Sequence, residues 1–149
     1  MSPHYWAILV AALWQFVVGG LWYSPVLFGK QWMKLMGWSQ EDMAKNKKSA
    51  GKAMGLSFIA TLVLTYILAL FIQYANTVNS LVHDSTFGTI RLGYSGGLEL
   101  ALLIWLGFVA TIGLNMVLFE KKPFNLYLIH MGYQLVGILG AGAILGMWR

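Results

Sequence analysis

The sequence predicts an all-α polytopic membrane protein: four transmembrane helices, both termini outside, and an amphipathic interfacial helix in the first cytoplasmic loop. Three observations carry this. Four apolar runs, approximately 5–23, 54–74, 98–119 and 126–147, fill most of the chain. Each approaches or exceeds the ~20 residues that a helix needs to cross a bilayer. The chain is 58% apolar and only 10% charged, whereas a soluble domain carries about 25% charged residues. Finally, nearly every charge lies between the runs, and these charges are unevenly shared among the loops. Lys30, Lys34, Lys45, Lys47, Lys48 and Lys52 occupy the first loop and Lys121 and Lys122 the third. The middle loop has only Arg91 and the tail only Arg149. Short basic loops stay in the cytoplasm, so loops one and three are expected inside. The chain is expected to form a single four-helix domain over residues 1–149.

The first run lacks a basic flank and a small-residue cleavage site, so it reads as a retained anchor. Trp22 and Tyr23 sit at its inner end, where interfacial aromatics belong, and Pro25 ends it. In the stretch 27–38, Phe28, Trp32, Leu35 and Met36 share one helical face, with Lys30 and Lys34 on the other. That pattern is an interfacial helix on the inner leaflet; an irregular re-entry into the bundle is the alternative. Ser39 reads as an N-cap, with Glu41 and Asp42 in the first turn and Asp42 at capping-box spacing. No proline follows until Pro123, so the second helix is expected to run unbroken from Gln40 into the membrane. Gly51 and Gly55 form either a close helix contact or two unrelated glycines. Loop three is short, and Pro123 suits the first turn of the fourth helix, so helices three and four form an antiparallel hairpin. The fourth helix carries Gly132, Gly137, Gly140, Gly142 and Gly146 with Ala141 and Ala143. Small residues let membrane helices approach closely. Gly137, Ala141, Gly142 and Gly146 are therefore expected at a tight contact, within the bundle or between protomers.

The segment 19–33 reads Gly-Gly-Leu-Trp-Tyr-Ser-Pro-Val-Leu-Phe-Gly-Lys-Gln-Trp-Met. Further on come Trp105-Leu-Gly-Phe108, Leu118-Phe-Glu120, Pro123 and Gly132-Tyr133 before a C-terminal tryptophan. Over nearly its whole length the chain resembles the bacterial membrane-protein family called domain of unknown function 1761. The positions matching that pattern are Trp22, Tyr23, Ser24, Pro25, Phe28, Gly29, Trp32 and Glu120. The resemblance implies a multi-pass protein of the bacterial inner (plasma) membrane. It implies no chemistry.

Polar side chains are costly in lipid and tend to face the bundle interior. At ~1.5 Å per residue, Ser57, Asn115 and His130 lie ~6 Å from the inner ends of their helices. Gln15 lies ~10 Å in, and Thr61, Thr111 and Gln134 ~12 Å. With Glu120 these form the candidate polar cluster. Thr111/Asn115 and His130/Gln134 are i,i+4 pairs, each on one helix face. Two readings compete. The residues line a water-filled vestibule open to the cytoplasm, in which His130 is the ionisable group; or they are hydrogen-bonding glue between helices. Glu120 either is solvated beside its lysines or turns toward His130. His4, His83 and Asp84 fall on the outer side and are read as solvated residues rather than a metal site. No catalytic spacing appears, the absence of cysteine excludes thiolate sites, and neither cofactor nor metal is expected. The net charge of +5 is accounted for by the basic loops, so no nucleic-acid partner is expected. The expected partners are the lipid bilayer and either further copies of the chain or a larger membrane protein. The leading function is an oligomeric channel or carrier for a small solute or ion. An accessory or scaffolding subunit is the alternative, and a membrane-embedded enzyme ranks last.

Overall fold

The computed structural model describes residues 4–81 and 94–148. Four helices are long and apolar enough to cross a bilayer, over Tyr5–Trp22, Gly51–Val78, Ser95–Leu118 and Phe124–Met147. That makes the chain an all-helical membrane protein among its described residues. Arg91, His83, Asp84 and Arg149 lie outside the described residues.

Helix α1 (Tyr5–Trp22) buries Ala7, Ala11, Ala12, Gln15 and Val18 along one side. Behind it the chain turns sharply. Phe28 N–H bonds to the Trp22 carbonyl at 3.0 Å and Gly29 N–H to the Ser24 carbonyl at 2.9 Å. A Cβ on Gly29 would collide with the Tyr23 and Ser24 carbonyls, so the turn admits only glycine there. Helix α2 (Gly29–Met36) follows. It ends at Gly37, which takes the left-handed φ of 69°. Trp38 N–H reaches the Met33 carbonyl at 3.0 Å and Gly37 N–H that of Lys34 at 3.2 Å. This is a Schellman ending, and its usual hydrophobic contact is Trp38 against Trp32, ring centroids 5.7 Å apart.

Helix α3 (Gln40–Lys45) starts in the expected capping box. Ser39 Oγ accepts from Asp42 N–H at 3.1 Å, while the Ser39 N–H and hydroxyl both donate to the Asp42 carboxylate. Those bonds favour the charged form and hold Asp42 below the usual carboxylate range. The unbroken second helix does not occur. Asn46 leaves helical geometry, its side chain bonding to the Asp42 carbonyl at 3.0 Å. Asparagine offers the backbone a local alternative to the helix ladder, and α4 (Lys47–Leu81) begins just after it.

The third span is not one regular helix. Helix α5 (Tyr94–Ile104) passes into a π-helical stretch, Trp105–Ala110. Two short pieces follow, α6 (Thr111–Gly113) and α7 (Asn115–Leu118). Two hydrogen bonds, one in each direction, tie this stretch to α8 (Phe124–Met147). Trp105 Nε1 donates to the Met131 carbonyl at 3.0 Å, and Tyr127 donates to the Ala110 carbonyl at 3.0 Å. Pro123 stands at the N-cap of α8 with extended backbone rather than inside its first turn.

Helix α8 is the hub. Of the four spans it is the most buried, at 39%, against 11% for Ser95–Leu118. At the end away from the lysines, Ile138, Ala141 and Leu145 pack with Ala7, Ile8 and Ala11 of α1, Leu68 and Ile72 of α4, and Ala101 of α5. Helices α5 and α8 cross with almost no side chain between them. A Cβ on Gly142 would sit 2.6 Å from Ala101 Cβ, and one on Gly97 would strike the Gly142 carbonyl. The Gly142–Gly146 end of the small-residue stripe thus meets α5 within the chain, while Gly137 meets Gln15 of α1. Helix α4 leans mainly on α1, where Phe16 and Phe58 meet edge to face at 5.3 Å.

Candidate functional site

The polar side chains of α1 and α8 converge on one seam near the lysine-rich end. Their backbones approach because glycines on one helix receive bulky groups from the other. A Cβ on Gly132 would lie 2.9 Å from Trp22, and one on Gly137 2.9 Å from Gln15 Cγ. On Gly140 it would overlap Trp14, and on Gly19 it would stand 3.2 Å from the Tyr133 ring. Two of these notches, at Gly132 and Gly140, place an indole donor beside the α8 backbone. Trp22 Nε1 donates to the Ile129 carbonyl at 2.9 Å and Trp14 Nε1, more loosely, to that of Val136 at 3.4 Å.

Within this frame Tyr23 Oη lies 2.6 Å from His130 Nδ1. A contact this short is a strong hydrogen bond; the proton sits on oxygen or on nitrogen according to the imidazole tautomer. Aromatic rings enclose the pair. Tyr23 meets Trp32 edge-on at 5.6 Å and Tyr133 at 5.5 Å. One turn deeper, Gln15 Nε2 donates to Gln134 Oε1 at 3.4 Å. Gln15 is only 2% exposed, and its Oε1 has no hydrogen-bond partner among the described residues. An orphaned buried acceptor costs about 1–3 kcal/mol, and a water or a solute group with a donor would relieve it. The seam therefore offers an ionisable imidazole, a phenol bonded to it, and an amide pair with one open acceptor, in order of depth.

The other expected members of the cluster lie elsewhere. Thr61 is buried, but its hydroxyl bonds to the Ser57 carbonyl of its own helix, as does that of the neighbouring buried Thr65, outside the expected set, to the Thr61 carbonyl. Ser57, Thr111 and Asn115 are exposed, and Thr111 Oγ1 returns to the Gly107 carbonyl at 2.6 Å. The π-helical stretch accounts for the positions on the third span. Each extra residue in a turn rotates everything after it by roughly 100°, so Thr111 and Asn115 do not continue the face that α5 packs on α8. Glu120 is exposed beside Lys121 and Lys122. Gly137, Ala141, Gly142 and Gly146 are all buried. Among the described residues no three histidine or acidic side chains converge on a metal-sized space.

Sequence reasoning placed Tyr23, Trp105 and Tyr133 in family motifs but missed Tyr23 as the partner of His130, assigned Tyr133 and the Trp105 indole no contact, and missed the Trp14 indole altogether. A usable signal was there. Donor-bearing aromatics on α1 fall at the heights of glycines on α8, and such side chains seek a partner when buried.

A family model described as a protein of unknown function (DUF1761) matches residues 6–146. No curated protein and no solved structure matches the chain.

Proposed function

The chain belongs to the DUF1761 family, which has no assigned activity, and from that premise we propose that it is the protomer of a channel or carrier for a small ion or solute. Gln15, Gln134, His130 and Tyr23 are its polar path. The observation that carries this reading is the Tyr23–His130 contact of 2.6 Å, one turn below a buried amide oxygen without a partner. Ionisable groups inside a span mark ion and proton paths, and histidine changes charge near neutral pH. In the orientation expected from loop charge, the path opens at the cytoplasmic face of a bacterial plasma membrane.

The test places single cysteines at Gln134, at His130 and, for contrast, at Asn115, since the chain has none of its own. Labelling of the first two by a small charged reagent, with loss of proton or ion flux from liposomes in His130→Ala, supports the path. Protection of both, in a protein that is folded and reactive at a first-loop control, sinks it.

One observation favours a second reading, an accessory subunit. Gly107, Thr111 and Asn115 share an exposed face, and a Cβ on Gly107 would touch nothing. An asparagine amide facing lipid gains by pairing with another helix. Disulfide cross-linking through Thr111→Cys in the purified protein separates the two. A cross-linked pair of copies supports an oligomeric channel; monomer alone favours a different membrane protein as partner.

A further inference from the structure

At the lysine-rich end, an open groove of about 290 Å³ is lined by Trp22, Phe28, Gln31, Asn125, Leu128 and Ile129. Its floor is fixed, because the Trp22 indole is bonded to the Ile129 carbonyl and packs at a tilt against Phe28, ring centroids 4.8 Å apart. Two amides, Gln31 and Asn125, stand exposed at its rim. Pro123 gives α8 no side-chain cap, and while the Leu126 and Tyr127 N–H groups bond to the Pro123 carbonyl, those of Phe124 and Asn125 have no intrahelical acceptor and add donors at the groove.

The charge around the groove is predominantly positive. On α2, Lys30 adjoins Gln31 and Lys34 follows one turn later; Lys121 and Lys122 lead into Asn125. All four are exposed. Among the described residues the lysine held in an ion pair is Lys45 on α3, with Glu41 at 3.0 Å. Glu120 is the acidic neighbour of Lys121, so four lysines and one glutamate leave an excess of three positive charges. Lys121 also holds a left-handed φ of 55°, a conformation that glycine adopts at less cost. The tight turn is closed by Lys122 N–H on the Met116 carbonyl at 3.1 Å.

We propose that this groove binds an anionic phospholipid. Asn125, Gln31 and the flanking lysines hold the phosphate, and one acyl chain lies along Leu128 and Ile129. Charge complementarity selects this occupant. A zwitterionic lipid meets the same apolar wall but carries no net charge for the lysines. Each lysine near an anionic headgroup is worth about fivefold in binding.

The test uses the full-length protein in phosphatidylcholine nanodiscs, with phosphatidylglycerol titrated in and bound lipid counted by native mass spectrometry. Wild type should prefer phosphatidylglycerol by at least about tenfold. The triple variant Lys34→Gln/Lys121→Gln/Lys122→Gln should fall to near parity. Leu128→Trp, which fills the groove without altering charge, should also lose the preference; if it unfolds, Asn125→Leu is read in its place. Lys45→Gln/Lys52→Gln should keep the preference. The proposal is overturned if wild type shows no preference, or if filling the groove leaves the preference intact while removing the lysines abolishes it. In the latter case surface charge alone attracts the lipid. Displacement of the bound lipid by soluble glycerol phosphate would equally overturn it, in favour of a site for free phosphate.

Discussion

Gly142→Ala is the sharpest probe of the α5–α8 crossing. The added carbon would stand 2.6 Å from Ala101 Cβ and 2.5 Å from the Gly97 carbonyl oxygen. Carbon atoms in contact sit ~3.5–4.0 Å apart, so the two helices must part by about 1 Å. Neither obstacle can swing aside, since one is backbone and the other a Cβ. Overpacking costs ~1–3 kcal/mol where neighbours relax, and here relaxation means moving a helix. We therefore expect a loss at the upper end, about 2–3 kcal/mol, or roughly 30- to 150-fold in the unfolding equilibrium. The assay is reversible unfolding in mixed micelles, followed by tryptophan fluorescence. Gly107→Ala is the control: it meets nothing within 4 Å and should be neutral, or stabilising by up to ~1 kcal/mol through helix propensity. Equal stability of Gly142→Ala and wild type would refute the close crossing. So would equal losses at Gly142 and Gly107.

Three further outcomes follow from the same geometry. Tyr23→Phe and His130→Ala should be coupled by ~0.6–1.5 kcal/mol in a double-mutant cycle of unfolding, and zero coupling would deny the 2.6 Å bond. Gln15→Leu/Gln134→Leu should be close to neutral, whereas Gln134→Leu alone should cost about 1 kcal/mol more by leaving the buried Gln15 amide unpaired; a harmless Gln134→Leu would mean that water already serves that amide. The Asp42 carboxyl is held below its usual range first by the Ser39 hydroxyl and then by its N–H, so the cap is complete above the ordinary carboxylate range and is lost as pH falls through the lowered value. Hydrogen exchange at the start of α3 should accelerate on acidification, and in Ser39→Ala the Asp42 titration should return upward; an unmoved Asp42 in that variant would contradict the capping box.

Depth was legible in the sequence and azimuth was not. The apolar runs gave the four spans, and counting from their ends put His130 one turn below Gln134 and level with Asn115. Depth depends only on rise per residue, so it survives any packing arrangement. Facing depends on which side of a helix meets a neighbour. In lipid both sides are apolar, so periodicity carries little information. Thr111 and Asn115 were misplaced for a further reason: a π-helical stretch lies before them. Its contacts, Trp105 to Met131 and Tyr127 to Ala110, come from a helix that follows later in the chain, so no local signal announces it. The reverse holds for α2 and α3. Their ends rest on Gly37, Ser39 and Asp42, residues whose roles are local, although the break at Asn46 was overlooked. The glycines of α8 were recognised as a contact surface, but that Gln15 and Trp22 would fill them required knowing that α1 is the neighbour.

Three tryptophans of this chain act as pins in a lock. Indole N–H groups from Trp22 and Trp14 on α1, and from Trp105 on the third span, are seated on the carbonyls of Ile129, Val136 and Met131. A helix gripped from two sides in this way can neither swivel nor slide by a residue without withdrawing several donors at once. Helix α4 has no such latch at Thr61 and Thr65, whose hydroxyls are turned onto their own backbone. If the protein works by rocking, α1, the third span and α8 form the stator and α4 is the moving arm. Spin labels on α4 and α8 should then report a broader spread of distances than labels on α1 and α8, and equal spreads would remove α4 from that role.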